Sequence, residues 1–125
     1  MRRNLQLMLI GVLCLFAIAA VAAPVIRSIS TRTTTTATAI DGTSKTYPLT
    51  VTVIPESGVL ATAEYSTTPN AYLSPADAHW NVLNSASAVS TVMSTTLPSP
   101  VTAIRFTRVS GASAVIGEVN WMEAP

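Results

Sequence analysis

An alternation of apolar and polar residues over positions 46–53 is the feature that most constrains the fold of this chain. The apolar positions are Tyr47, Leu49, Val51 and Val53, and threonines occupy most positions between them. Successive side chains of a β-strand point to opposite faces, so the pattern predicts a strand with one buried face. Pro48 donates no backbone hydrogen bond, so the strand should begin there or lie at a sheet edge.

A second alternating segment follows closely. Residues 55–58 read Pro-Glu-Ser-Gly, which is typical of a turn, and the apolar alternation then resumes over 59–65. Two alternating segments joined by a short turn predict a β-hairpin.

Further strands are predicted along the rest of the chain, at 31–40, 80–83, 87–95 and in two halves of 101–121. Turn signals separate them, including Asn84-Ser85 and the prolines of 98–100. About seven short strands at spacings of roughly ten residues predict an all-β fold, either an antiparallel β-sandwich or a small barrel.

The Thr-rich segment 31–40 has two interpretations. Threonine is β-branched and favours strands, and Asp41-Gly42 ends the segment with a dipeptide common in hairpin turns. The same composition would also suit a stiff stalk. Residues 24–45 are therefore predicted as a first strand or a stalk, and 46–125 as the β-domain.

The segment 101–121 is predicted as a hairpin with a two-residue loop at Ser110-Gly111. This register places Phe106 opposite Val115 and gives one continuous apolar face. Arg105 then faces outward, diagonal to Glu118, where a cross-strand ion pair explains it without a ligand. The alternative is that Arg105 binds a ligand. Arg108 lies at the strand end, where its stem can cover the rim of the core.

The N-terminal residues predict a helical export signal or membrane anchor. An apolar run follows two arginines and ends in small residues, with an Ala-x-Ala cleavage pattern at 20–22 that would leave Ala23 as the new N-terminus. Without cleavage, residues 5–23 are long enough to span a bilayer. Arg2 and Arg3 would then remain cytoplasmic. Either way, the domain after residue 23 is expected outside the cytoplasm.

Composition excludes several classes of function. The chain has a net charge of +1, and without Arg2 and Arg3 it becomes −1, so no basic surface for nucleic acid is expected. The single cysteine, Cys14, lies within the apolar run, which leaves the exported part without a disulfide or a thiol nucleophile.

No motif for catalysis or cofactor binding is present. His79 is the single histidine, so a histidine-based metal cluster is not expected, and no nucleophile-elbow, phosphate-loop or calcium-loop motif occurs. We therefore predict no cofactor, no metal and no enzymatic activity. The sequence leaves open one alternative, in which two of the six carboxylates converge as a glycosidase pair.

The candidate ligand-binding residues are Tyr72, His79, Trp80 and Arg105. The first three lie in or beside the longest predicted loop, 67–77, and exposed aromatic faces can hold sugars or protein partners. Trp80 has a second interpretation as an anchor of the hydrophobic core.

One part of the sequence resembles a known family. The succession AEYSTTPNA, HWNVL and LPSPVTAIRFTRVSGASAVIGEV, within 62–119, is similar to small virion-associated proteins of tailed bacteriophages. That resemblance implies an accessory or decoration-type β-domain on the particle. The hydrophobic leader departs from the family pattern, because a virion component that assembles in the cytoplasm needs no export.

Two functional hypotheses follow. The first is a non-enzymatic structural or adhesive module, on a virion or beyond a membrane, which binds protein partners or self-assembles. The second is an exported module that binds a carbohydrate or a protein. Neither involves nucleic acid, and both allow a membrane contact through residues 1–23 if the leader is retained.

Overall fold

The computed structural model describes residues 23–36, 39–83 and 88–124, which form an all-β fold with one short 3-10 helix, Pro75–Asp77. The strands are β1 Val25–Thr33, β2 Ile40–Asp41, β3 Leu49–Pro55, β4 Leu60–Ser66, β5 Asn81–Val82, β6 Met93–Leu97, β7 Ala103–Ser110 and β8 Val115–Glu123. The predicted N-terminal helix and the turn at Asn84-Ser85 lie outside the described residues. Among those that are described, no helix has the length and apolarity needed to cross a membrane.

The strands form two antiparallel sheets of four. Sheet A has the order β1-β8-β3-β6, and sheet B has the order β2-β7-β4-β5. The apolar faces of the two sheets pack against each other in a sandwich-like arrangement. The prediction of an antiparallel all-β fold is confirmed, with eight strands in place of about seven.

The alternation that predicted the first strand matches the observed burial. Leu49, Val51 and Val53 of β3 are fully buried in the core, whereas Thr50 is exposed. The strand begins directly after Pro48 and lies between β8 and β6, so the missing donor of Pro48 interrupts no ladder.

The predicted hairpin at 55–58 is wrong. β3 belongs to sheet A and β4 to sheet B, so this turn carries the chain from one sheet to the other. The Val59 N–H donates to the Glu56 carbonyl at 3.1 Å, and Gly58 adopts a φ of 76°. An arch between sheets needs the same turn residues as a hairpin and buries the same apolar faces, which is why the sequence pattern did not separate them.

The predicted hairpin at Ser110-Gly111 is wrong for the same reason. β7 pairs with β4, placing Phe106 opposite Ala63, while β8 pairs with β1 and β3. Phe106 instead packs across the core against Gly117 of β8, where an added Cβ would overlap the phenyl ring. The ring therefore occupies space that a glycine in the middle of a strand leaves free.

The strand predicted at 87–95 is displaced. The observed strand β6 is Met93–Leu97, in which Leu97 is buried opposite Leu49, and Val89 makes only an isolated bridge to Ala61. Serine, threonine and alanine carry little periodic signal, so the pattern did not locate the strand accurately. The short strand predicted at 80–83 is observed as β5.

The Thr-rich segment is built into the two sheets. β1 pairs with β8 over its full nine residues, and beyond it Thr36 bridges to Thr107. The Arg108 N–H donates to the Thr35 carbonyl at 2.8 Å. Ile40 then begins β2, which pairs with β7.

Candidate functional site

The long loop between β4 and β5 is held against sheet B by hydrogen bonds that threonines donate and accept, with Ser66 as an acceptor. The Thr102 N–H donates to the Ser66 carbonyl at 2.8 Å, and Thr102 Oγ1 lies 2.9 Å from that carbonyl and 2.7 Å from the carbonyl of Thr68. Thr68 Oγ1 accepts from the His79 N–H at 3.0 Å and so ties the two ends of the loop together. These bonds fix the position of the aromatic residues that the loop carries.

Trp80 packs on the outer face of sheet B. Its ring contacts a small cluster of buried alanines, Ala39, Ala71 and Ala103. Its indole Nε1 donates to the Pro75 carbonyl at 2.9 Å. Small side chains let the loop approach the sheet closely, so Trp80 anchors the loop to sheet B from outside the main core.

Arg105 lies on the same face, between Trp80 and a carboxylate. The guanidinium carbon is 4.1 Å from the centre of the Trp80 ring, and Nε donates to Glu64 Oε2 at 2.8 Å. The same oxygen accepts from Thr107 Oγ1 at 3.1 Å. The predicted partner, Glu118, is wrong, because β8 lies in the other sheet and β4 provides the opposing residue.

Arg108 closes the turn that follows β7. Its Nη1 lies 3.1 Å from the carbonyl oxygens of both Ala112 and Ser113. The side chain thus stabilises the arch between the sheets, and its hydrogen bonds are made within the chain.

Tyr72 stands between two clefts that share Asp41. The smaller cleft, of about 260 Å³, is lined by Asp41, Thr43, Asn70, Tyr72, Leu73 and Thr102. The larger, of about 410 Å³, opens between β1 and β2 and is lined by Ile29, Thr31, Ala39, Ile40, Asp41, Ser44, Lys45 and Tyr72. The Tyr72 side chain is 43% exposed, so its ring is accessible to a ligand.

The larger cleft has apolar lining residues together with hydrogen-bond donors and acceptors. Thr43 donates to Asp41 Oδ1 through its hydroxyl at 2.6 Å and its N–H at 2.9 Å, and these bonds, with the charge of Lys45, lower the pKa of Asp41. The Lys45 ammonium lies 4.6 Å from the centre of the Trp121 ring. Thr31 Oγ1 is buried and has no hydrogen-bond partner among the described residues.

His79, Trp80 and Arg105 do not line either cleft. His79 is exposed, and the hydrogen bond that the structure gives it is made by its backbone. Of the four predicted site residues, Tyr72 alone joins the clefts, and Trp80 meets Arg105 in a separate stack. Across residues 23–36, 39–83 and 88–124, no group of three or more metal-ligating side chains occurs.

The cleft residues Thr31, Asp41 and Lys45 were not found from the sequence. Asp41 carried only a turn signal, and Thr31 belonged to a run of similar threonines. They come together because β1 and β2 lie at corresponding edges of different sheets, which no local pattern encodes.

The chain was compared with protein-family models, curated proteins and solved structures, and none of them matches it.

Proposed function

We propose that this protein is a non-enzymatic structural or adhesive β-module, displayed on a phage particle or beyond a cell membrane. The observation that carries this proposal is the central part of the outer face of sheet A, which we define as Ser28, Ser30, Thr50, Thr52, Ser94, Thr96, Glu118 and Asn120. These side chains form two rows across the four strands, and Glu118 is the single charged residue among them.

Such a face is suited to contact with another macromolecule. Small ligands and substrates are usually held in concave pockets, whereas the centres of protein interfaces are depleted in charge. Hydroxyl and amide side chains keep the face soluble, and little charge has to be desolvated when a partner covers it.

The placement of the carboxylates supports a non-enzymatic role. Glu56 accepts from the Ala114 N–H at 3.0 Å and Arg32, Glu64 bonds Arg105, and Glu123 bonds Arg27. Asp41 accepts a hydrogen bond from Thr43. The remaining two acids are associated with different sheets, since Asp77 is in the loop beside sheet B and Glu118 is on sheet A. This arrangement offers no pair of carboxylates flanking one cleft.

The hydrophobic leader supports display beyond a membrane, and the resemblance of 62–119 to virion-associated proteins supports the alternative of display on a phage particle. The test is to prepare particle, envelope and soluble fractions from the native source and measure the intact mass of the protein in each. We expect it in the particle or envelope fraction. A monomer confined to the cytosol would overturn the proposal. A species beginning at Ala23 would identify a cleaved signal, and one retaining Arg2 and Arg3 an anchor.

A second candidate function, carbohydrate binding, is favoured by the clefts around Tyr72. A pyranose ring has an apolar face that suits an aromatic ring, and hydroxyls that need both a donor and an acceptor, which Lys45 and Asp41 offer. A panel of methyl glycosides at millimolar concentration, followed by NMR shift perturbation, tests this role. We expect shifts at the cleft residues that Tyr72→Ala removes and Val109→Ala, an exposed control residue, leaves unchanged. No perturbation by any glycoside would exclude it.

A further inference from the structure

β1 is a long edge strand, and no other described strand pairs with its outer edge. It spans nine residues in regular register with β8 and forms the rim of sheet A. Every second residue of an edge strand directs its N–H and C=O away from the neighbouring strand. Within the described part of the chain, no loop hydrogen bond uses the backbone of residues 25–32.

Several of the usual protections of an edge strand are missing from β1, although it carries two arginines. It contains no proline and no lysine, and its ladder shows no bulge. Its two charges are neutralised within the chain, since Arg27 Nε lies 2.6 Å from Glu123 Oε2 and Arg32 Nη2 lies 2.9 Å from Glu56 Oε1. The edge is therefore close to neutral, and the described residues leave it open to another strand.

We propose that β1 pairs with β1 of a second copy of this chain, in antiparallel orientation, so that two four-stranded sheets join into one of eight strands. This inference deepens the proposed structural function and rests on it. We take a second copy as the occupant because a two-fold axis can pair all nine residues of β1 and place each of its two arginines opposite an uncharged residue. Display on a surface would raise the local concentration and favour the pairing.

The register follows from the two-fold symmetry. Residues that face each other across the axis must lie on the same face of the joined sheet, and a register centred on Ile29 pairs every residue of β1. Arg27 then faces Thr31, Arg32 faces Ile26, and Ser28 faces Ser30. Registers centred on Arg27 or Arg32 would oppose two guanidinium groups. Ile26, which is 72% exposed, gains the alkyl stem of Arg32 as a neighbour.

Disulfide trapping tests both the edge and the register. In the full-length chain with Cys14→Ser, the double variant Ser28→Cys and Ser30→Cys places a cysteine opposite a cysteine twice across the axis. We expect a covalent dimer on mild oxidation. The matched control carries Ser94→Cys and Thr96→Cys, which have the same spacing and exposure on β6, the opposite edge of sheet A. The control should remain monomeric.

Charge repulsion provides the second measurement. Ser28→Lys with Ser30→Lys opposes lysines twice in this register, and we expect the dimer Kd from analytical ultracentrifugation to rise by about tenfold or more. Ser94→Lys with Thr96→Lys should leave the Kd unchanged. Equal trapping at both edges, no trapping at β1, or a dimer insensitive to the β1 lysines would overturn the β1 pairing. The localisation experiment tests the proposed function separately, so the two failures are distinguishable.

Discussion

The outer faces of the two sheets differ in how far other parts of the chain cover them. Sheet A exposes threonine, serine and asparagine to solvent and has no covering segment among the described residues, whereas the long loop covers part of sheet B. The difference lies in residue size and charge, since Ala103 leaves room for Trp80, and Glu64 provides an anchor for Arg105. Sheet B supports the loop that shapes the clefts, whereas sheet A is the surface that we propose for intermolecular contacts.

Truncating Phe106, which packs in the core between the two sheets, should have the largest effect on stability. Phe106 is fully buried between the sheets, and Phe106→Ala should lower the free energy of unfolding by about 4 kcal/mol, because a cavity remains beside Gly117. Urea denaturation measures the change. Thr50→Ala, at an exposed position of sheet A, is the control, and equal losses in the two variants would contradict this account of the core.

The second largest loss of stability is expected on the outer face of sheet B, where Trp80 holds the loop. Trp80→Ala removes the ring that holds the loop on sheet B and should cost about 2 kcal/mol, less than a core aromatic because the ring is only partly buried. Trp80→Phe retains much of the packing and loses the hydrogen bond to Pro75, so a loss of about 1 kcal/mol is expected. A negligible change in both variants would show that the loop is not anchored through this residue.

The partly buried ion pair on sheet B should contribute more to stability than the carboxylate of Glu118 on sheet A. The side chains of Arg105 and Glu64 are 24% and 16% exposed, and a double-mutant cycle with Arg105→Met and Glu64→Gln should give a coupling energy of about 1 kcal/mol. Glu118→Gln should change stability by less than about 0.5 kcal/mol. A coupling energy near zero would mean that solvent screens the pair despite its burial.

The smallest expected effect is the pH dependence of stability that arises from Glu56, which lies in one turn between the sheets and bonds the Ala114 N–H of the other. The N–H of Ala114 and then Arg32 lower the pKa of Glu56 below its ordinary value of 4.5, so the folded state binds this proton less readily than the unfolded chain. The stabilisation is therefore present above 4.5 and is lost as the pH falls through the folded-state pKa. Glu56→Gln should lower Tm near neutral pH and flatten its acid dependence, whereas Glu118→Gln is the control. An unchanged acid profile would contradict this role.

Several features of the fold were available from the sequence. The strict alternation of β3 identified Leu49, Val51 and Val53 as one apolar face, and prolines and glycines marked the turns. The loop containing Tyr72 was also predicted, because its composition departs from both strand and helix patterns. These properties are local, since they depend on side-chain size, polarity and backbone freedom within a few residues.

The tertiary structure decided which strands are neighbours. Alternation specifies which face of a strand is buried, yet a hairpin and an arch between sheets bury the same face, so both predicted hairpins were wrong. The partner of Arg105 and the clefts around Tyr72 depend on that choice, because Glu64, Asp41 and Thr31 come from strands distant in sequence. The sequence by itself determined an antiparallel all-β fold, whereas only the tertiary structure decided which strands pair in each sheet, because side chains distant in sequence, such as Phe106 and Gly117, pack together between the sheets.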